Sequence, residues 1–247
     1  MEKKFKVSLR KDLPIWPTFI ELTERRNLFV HCNGSVSNQY LAVCKTAGVS
    51  VNDCAVGVEL NVTAEYFQNA YDCIYELGFK LAHVLWRKLK EDERKKADNA
   101  LNYSTFSLIR EEKYKLAKIL LDFAVALPKF SSDEVRRIAI INRAQVYKWT
   151  GDVKGAECIL SAEDWTASSL KFRLAHAVLL DDFAKAGMLM EKIGGNDSPK
   201  KRDYQEWPLF REFRKSNEFR VAYEAVFKEP FGSIEDKPEI DVPPQVV

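Results

Sequence analysis

Arg26 and His31 stand five positions apart in the segment Glu24-Arg25-Arg26-Asn27-Leu28-Phe29-Val30-His31-Cys32-Asn33-Gly34. A histidine moves protons near neutral pH, and a guanidinium presents a fixed positive fork to phosphate oxygens. Together they have the chemistry for metal-free RNA cleavage. Asn27 adds a neutral hydrogen-bonding group beside the arginine, and Arg25 and Asn33 flank the set as candidate RNA contacts. No pair of carboxylates stands out for acid–base work. Gly194-Gly195-Asn196-Asp197 follows a helical pattern and reads as a turn, not a phosphate loop. The five cysteines form no C-x-x-C pair and no zinc-type spacing with histidine, so neither a metal nor a cofactor is expected.

The elements that must position these groups are helical. Pro17 suits a first helical turn, and a helix is predicted from there to about His31, stopping near Gly34. Phe19, Leu22, Phe29 and Val30 recur with helical spacing, and Arg26 falls on the same stripe. A charge there needs a carboxylate such as Glu24, a partner or a phosphate. Residues five apart on a helix diverge by about 140°, so a second copy of the chain is expected to complete the site. A short helix is predicted over Ser37 to about Thr46, then a loop from Gly48 to Asn61. Thr63 caps a long helix to about Leu89, with Tyr66, Ala70, Cys73, Ile74, Leu77, Leu81, Val84 and Leu85 on one face. The charged run Arg87 to Lys96 reads as an exposed helix end and linker.

Beyond it the pattern repeats loosely. Ala117 with Leu121, Ala156 with Leu160 and Ala186 with Met190 each set a small residue four before a large one. Asn142 to Asp152 resembles the first helix and turn of a tetratricopeptide-type hairpin, in which Tyr147 fills the groove and Gly151 permits the turn. A last helical pair is predicted from Trp207 through Phe213, then Phe219, Tyr223 and Phe227. Lys200-Lys201-Arg202 reads as a loop, and Arg211, Arg214 and Lys215 as one face of the helix after Trp207. Those cations could meet RNA phosphates, but a solvated rim around Phe210 and Phe213 is the preferred reading. His83 and His176 sit among apolar neighbours and read as core histidines.

An apolar fraction of 46% with only 10 glycines in 247 residues favours a packed all-α protein. A net charge of +2 excludes broad electrostatic capture of nucleic acid, so any basic patch must be local. The start, Met1-Glu2-Lys3-Lys4, lacks an apolar signal region, and no apolar run approaches a membrane span. The expectation is a cytoplasmic protein with reduced thiols and no membrane contact. Three regions are expected: 14–92, 98–228, and a proline-rich flexible tail over 229–247.

Arg26-Asn27 with four positions between Arg26 and His31 resembles the R-x4-6-H motif of the HEPN superfamily, many of whose members are metal-independent endoribonucleases. Asn27 after the arginine, the glycine after the histidine and the long helix opening at Thr63 also match that pattern. The resemblance implies that Arg26 stabilises charge at the scissile phosphate and His31 serves as acid or base, with Asn27 orienting them. It implies 2′,3′-cyclic phosphate products, a homodimer with a composite site, and a toxin–antitoxin or antiviral setting. It covers residues 14–90 and only the second half of the family's domain, since the two long helices that usually precede the motif helix have no counterpart here. The repeat region is then expected to hold a protein or peptide partner. The alternative is a non-catalytic helical scaffold that dimerises through the HEPN-like segment. A third possibility is a nucleotide-binding or regulatory subunit.

Overall fold

The computed structural model describes residues 13–51 and 54–232. Among them the chain is all-helical, its only extended pairing an isolated bridge between Ser35 and Glu59. It divides into two compact units between Leu89 and Lys90. Most of the predicted tail, including Pro238, Pro243 and Pro244, lies outside the described residues.

In the first unit, α1 spans Trp16–His31, with Pro17 in its first turn. Its end closes where the amides of Cys32 and Gly34 both bond the carbonyl of Leu28, at 2.8 and 3.0 Å. Asn33 and Gly34 adopt left-handed conformations there, with φ of 48° and 79°. Helix α2 spans Asn38–Thr46, and Ser37 Oγ caps it by accepting from the Tyr40 amide. The loop that shows no periodicity is held by backbone bonds from Val36 to Val58 and from Leu60 to Gly34. Thr63 Oγ1 accepts from the Tyr66 amide and caps α3, Ala64–Leu89. Leu28, Val36, Tyr40 and Cys44 form the buried centre.

The buried face of α1 differs from the predicted stripe. Glu21 and Leu28 are buried, with Arg25 between them, whereas Phe29, Val30 and Arg26 are exposed. On α3, Cys73 and Leu77 are buried but Ile74 is exposed. Apolar periodicity marks a face only where the core is apolar, and here tyrosines supply polar partners on the inner face.

The second unit starts with a single 3₁₀ turn, Glu91–Glu93, running directly into α4, Arg94–Arg110. The charged run is therefore mostly helical, and Arg87 within it is buried. The helices α5 (Tyr114–Val125), α6 (Asp133–Trp149), α7 (Val153–Ser161), α8 (Leu170–Leu179), α9 (Phe183–Ile193), α10 (Lys201–Glu206) and α11 (Asn217–Phe227) follow. Three turns share one geometry. Glu112, Gly151 and Asp181 are each left-handed, with φ of 57°, 88° and 58°. The next residue's amide bonds a carbonyl five back each time: Lys113 to Leu108, Asp152 to Tyr147, Asp182 to Ala177. Five residues after each left-handed residue comes a fully packed alanine: Ala117, Ala156 or Ala186. Absence of a larger side chain there lets the two arms of each hairpin approach closely.

The last predicted pair is only half helical. Trp207 to Lys215 holds two 3₁₀ turns, Pro208–Phe210 and Phe213–Lys215, and Phe210 and Phe213 anchor them in an aromatic core with Tyr204, Phe219 and Tyr223. Pro208 lacks an amide to continue α10, which accounts for the break. Lys201 and Arg202 lie within α10, not in a loop.

Candidate functional site

Helix α1 divides its two consecutive arginines between opposite environments, because neighbouring residues on a helix diverge by about 100°. Arg26 is exposed, and its Nη1 donates to Asn27 Oδ1 at 3.4 Å, a long bond, rather than to Glu24. His31 is the last residue of α1 and is exposed. Asn33 is exposed in the closing turn. Arg26 and Asn27 are thus brought together, while no hydrogen bond among the described residues joins either to His31. Val30, 55% exposed and four after Arg26, shares the arginine's helix face.

Arg25, expected as a flanking RNA contact, turns toward the first unit's interior. Its Nε donates to Glu21 Oε1 at 2.6 Å, and its guanidinium stacks 4.1 Å from the centre of the Tyr66 ring. Tyr40 donates to Glu21 Oε1 at 2.8 Å and Tyr66 to Glu21 Oε2 at 3.0 Å. Three donors thus occupy the Glu21 carboxylate, one each from α1, α2 and α3. Burial, and then the bond to Glu21, push the Tyr40 hydroxyl well above the ordinary tyrosine range. Burial and the Glu21 charge do the same at Tyr66. Burial works against the Arg25 charge, yet hydrogen bonding with Tyr40 and the charge of Glu21 hold its pKa above the usual value. This cluster fastens three helices through the Glu21 carboxylate. Glu21 four before Arg25 is a helical ion-pair spacing visible in the sequence, but the tyrosines that bury it come from other helices.

The other basic candidates are also structural. Arg214 donates to the carbonyls of Tyr204 and Trp207, and Arg211 stacks over Trp149 at 4.3 Å, with its Nη1 bonded to Tyr114. Lys215 pairs with Glu212. His83 is buried with its ring 4.4 Å from Phe79, and His176 lies 5.7 Å from Trp165. Among the described residues, no group of three His, Cys, Asp or Glu side chains is arranged to hold a metal ion. All five cysteines are free thiols. Burial, and then the Glu21 charge, push the Cys44 thiol up to about 11, away from the reactive thiolate. No helix among the described residues is long and apolar enough to cross a membrane.

No protein-family model, curated protein or solved structure matches this chain.

Proposed function

We propose that residues 14–92 form a HEPN-like, metal-independent endoribonuclease whose site is completed by a second copy of the chain. The observation that carries this reading is the sorting of α1. Arg25 is locked inward by Glu21, Tyr40 and Tyr66, while Arg26, His31 and Asn33 are exposed along its C-terminal half and closing turn, beside the half-buried Asn27. In the reaction the ribose 2′-hydroxyl attacks the adjacent phosphorus and the bond to the 5′-oxygen breaks. His31 takes the proton from the 2′-hydroxyl or supplies one to the leaving oxygen. Arg26 neutralises charge on the phosphate, and Asn27 holds the guanidinium. The products are a 2′,3′-cyclic phosphate and a 5′-hydroxyl. Residues 98–228, a tetratricopeptide-like stack of hairpins, hold a protein or peptide partner, in a toxin-type or antiviral system.

The test is cleavage of a mixed RNA by the full chain in the presence of a chelator. Arg26→Ala and His31→Ala each lower the rate by about 100-fold or more, while the unfolding curve is unchanged. A wild-type chain that never cuts RNA, even at concentrations where it dimerises, overturns the enzyme. The second reading, a non-catalytic dimerising scaffold, is favoured by exposed apolar side chains that need covering but no chemistry. Phe67 is 66% exposed and Ile74 53%, both on α3.

A further inference from the structure

Helix α3 carries a stripe of side chains whose spacing is symmetric about its own centre. Phe67, Tyr71 and Ile74 stand 11, 7 and 4 positions before Gly78, and Ala82, Leu85 and Leu89 stand 4, 7 and 11 positions after it. At about 100° per residue all seven fall in a band about 80° wide, running about 33 Å along the helix. None of them is charged. Phe67 is 66% exposed, Tyr71 42%, Ile74 53% and Leu89 57%, and Gly78 and Ala82 are exposed between them. The helix buries a different side, through Cys73, Leu77, His83 and Arg87.

A single apolar residue on a helix surface is ordinary, but a contiguous uncharged band of this length marks a contact surface. Gly78, at its centre, gives the band a direction. Glycine is the poorest helix former after proline, and a side chain placed there would meet nothing within 4 Å. Packing inside the chain therefore does not call for it. Absence of a side chain has a use where another helix crosses at that point. Crossing helices are closest at the crossing and diverge toward their ends. The band has that taper: Gly78 at the middle, Ile74 and Ala82 one turn out, and the larger Phe67, Tyr71, Leu85 and Leu89 beyond.

We propose that α3 pairs antiparallel with α3 of a second copy of the chain, about a twofold axis passing beside Gly78. A twofold interface uses the same patch on both partners, and a spacing symmetric about one residue is what that requires. Gly78 then meets its own counterpart, Ile74 meets Ala82, Tyr71 meets Leu85 and Phe67 meets Leu89, each pair formed twice. The antiparallel direction also lays the acidic first turn, with Glu65, beside the basic last turn, with Lys88, and opposes the two helix dipoles. Phe67, Tyr71, Ile74 and Leu89 together leave roughly 400 Å² exposed per copy, on the scale of about 150–250 Å² for a whole aromatic side chain. Twice that, with the partly exposed Leu85 and Ala82 added, reaches the roughly 1,000 Å² that a specific interface clears. The ribonuclease reading calls for a second copy but not for this surface, and the pairing does not depend on cleavage.

The test is sedimentation equilibrium of the full chain and of Gly78→Glu. Glutamate is a good helix former and enters open space in the single chain, so the helical circular dichroism is unchanged. In the pair, two carboxylates face each other across the twofold axis, and dimer affinity falls at least tenfold. Direction is read by disulfide trapping in a chain whose exposed cysteines, Cys32 and Cys158, are replaced by serine. Phe67→Cys and Leu89→Cys each give no covalent dimer alone, and a mixture of the two does. A covalent dimer of Phe67→Cys alone overturns the antiparallel pairing, and so does an unchanged dimer affinity in Gly78→Glu. A wild-type chain that stays monomeric at every concentration overturns it too, and leaves the stripe to the helix of a different protein. Pairing that meets these tests in a chain that never cuts RNA supports the inference and removes only the enzyme.

Discussion

The guanidinium carbon of Arg25 sits over the ring of Tyr66, 4.1 Å from its centre, while both residues bond the same carboxylate, Glu21. An arginine one position before the exposed Arg26 is thereby made part of the first unit's interior. Removing one member of a buried, hydrogen-bonded charge pair leaves the other uncompensated. Glu21→Ala and Arg25→Ala are each expected to destabilise the protein by about 3 kcal/mol. Tyr66→Phe costs about 1 kcal/mol, the worth of one hydrogen bond. Arg26→Ala changes stability by less than about 0.5 kcal/mol, as surface substitutions do. Urea unfolding followed by tryptophan fluorescence measures all four.

On the ribonuclease reading, Val30 is where a second copy would meet the arginine's face of α1. Val30→Glu is then expected to lower dimer affinity by at least tenfold, read by sedimentation. Cleavage should fall in parallel and recover at high protein concentration. Unimpaired cleavage by a strictly monomeric Val30→Glu would show that one copy suffices.

The three equivalent hairpin turns carry different residues at the left-handed position. Glycine alone occupies that conformation without a steric cost. Glu112→Gly is expected to raise stability by about 1 kcal/mol, and Gly151→Ala to lower it by about 1 kcal/mol. Thermal unfolding reads both, and shifts of the opposite sign would show that the turns are not equivalent.

Burial, with the nearby Lys185 charge as a lesser cause, depresses the pKa of His176 below 6.5. The unfolded chain therefore takes up a proton at pH values where the folded protein still refuses it. The stability linked to His176 is complete above pH 6.5 and is lost as pH falls toward its depressed folded value. His176→Phe should flatten the fall in stability below pH 6.5, measured as unfolding midpoints between pH 5 and 7.5.

Much of the helical architecture could be read directly. Pro17 marks one helix start by its fixed backbone, and Ser37 and Thr63 mark two more by capping, both of which act through neighbours in sequence. The paired small and large residues from Ala117 to Met190 mark the hairpins. The break after Trp207 is not legible in the sequence, because two 3₁₀ turns carry aromatic anchors at spacings that mimic a helix. The loop between α2 and α3 carries no periodic signal because single backbone bonds to Val36 and Gly34 hold it.

The candidate groups on α1 are a matter of residue type, so the chain alone names Arg26, Asn27 and His31. Which arginine faces inward could not be read there. Glu21, Arg25, Tyr40 and Tyr66 span 45 positions, and only folding brings them within bonding distance. Local chemistry fixed the helices and their ends, because caps and turns act over three or four residues. Tertiary packing decided burial, because the free energy of a polar group depends on partners that sequence distance does not reveal.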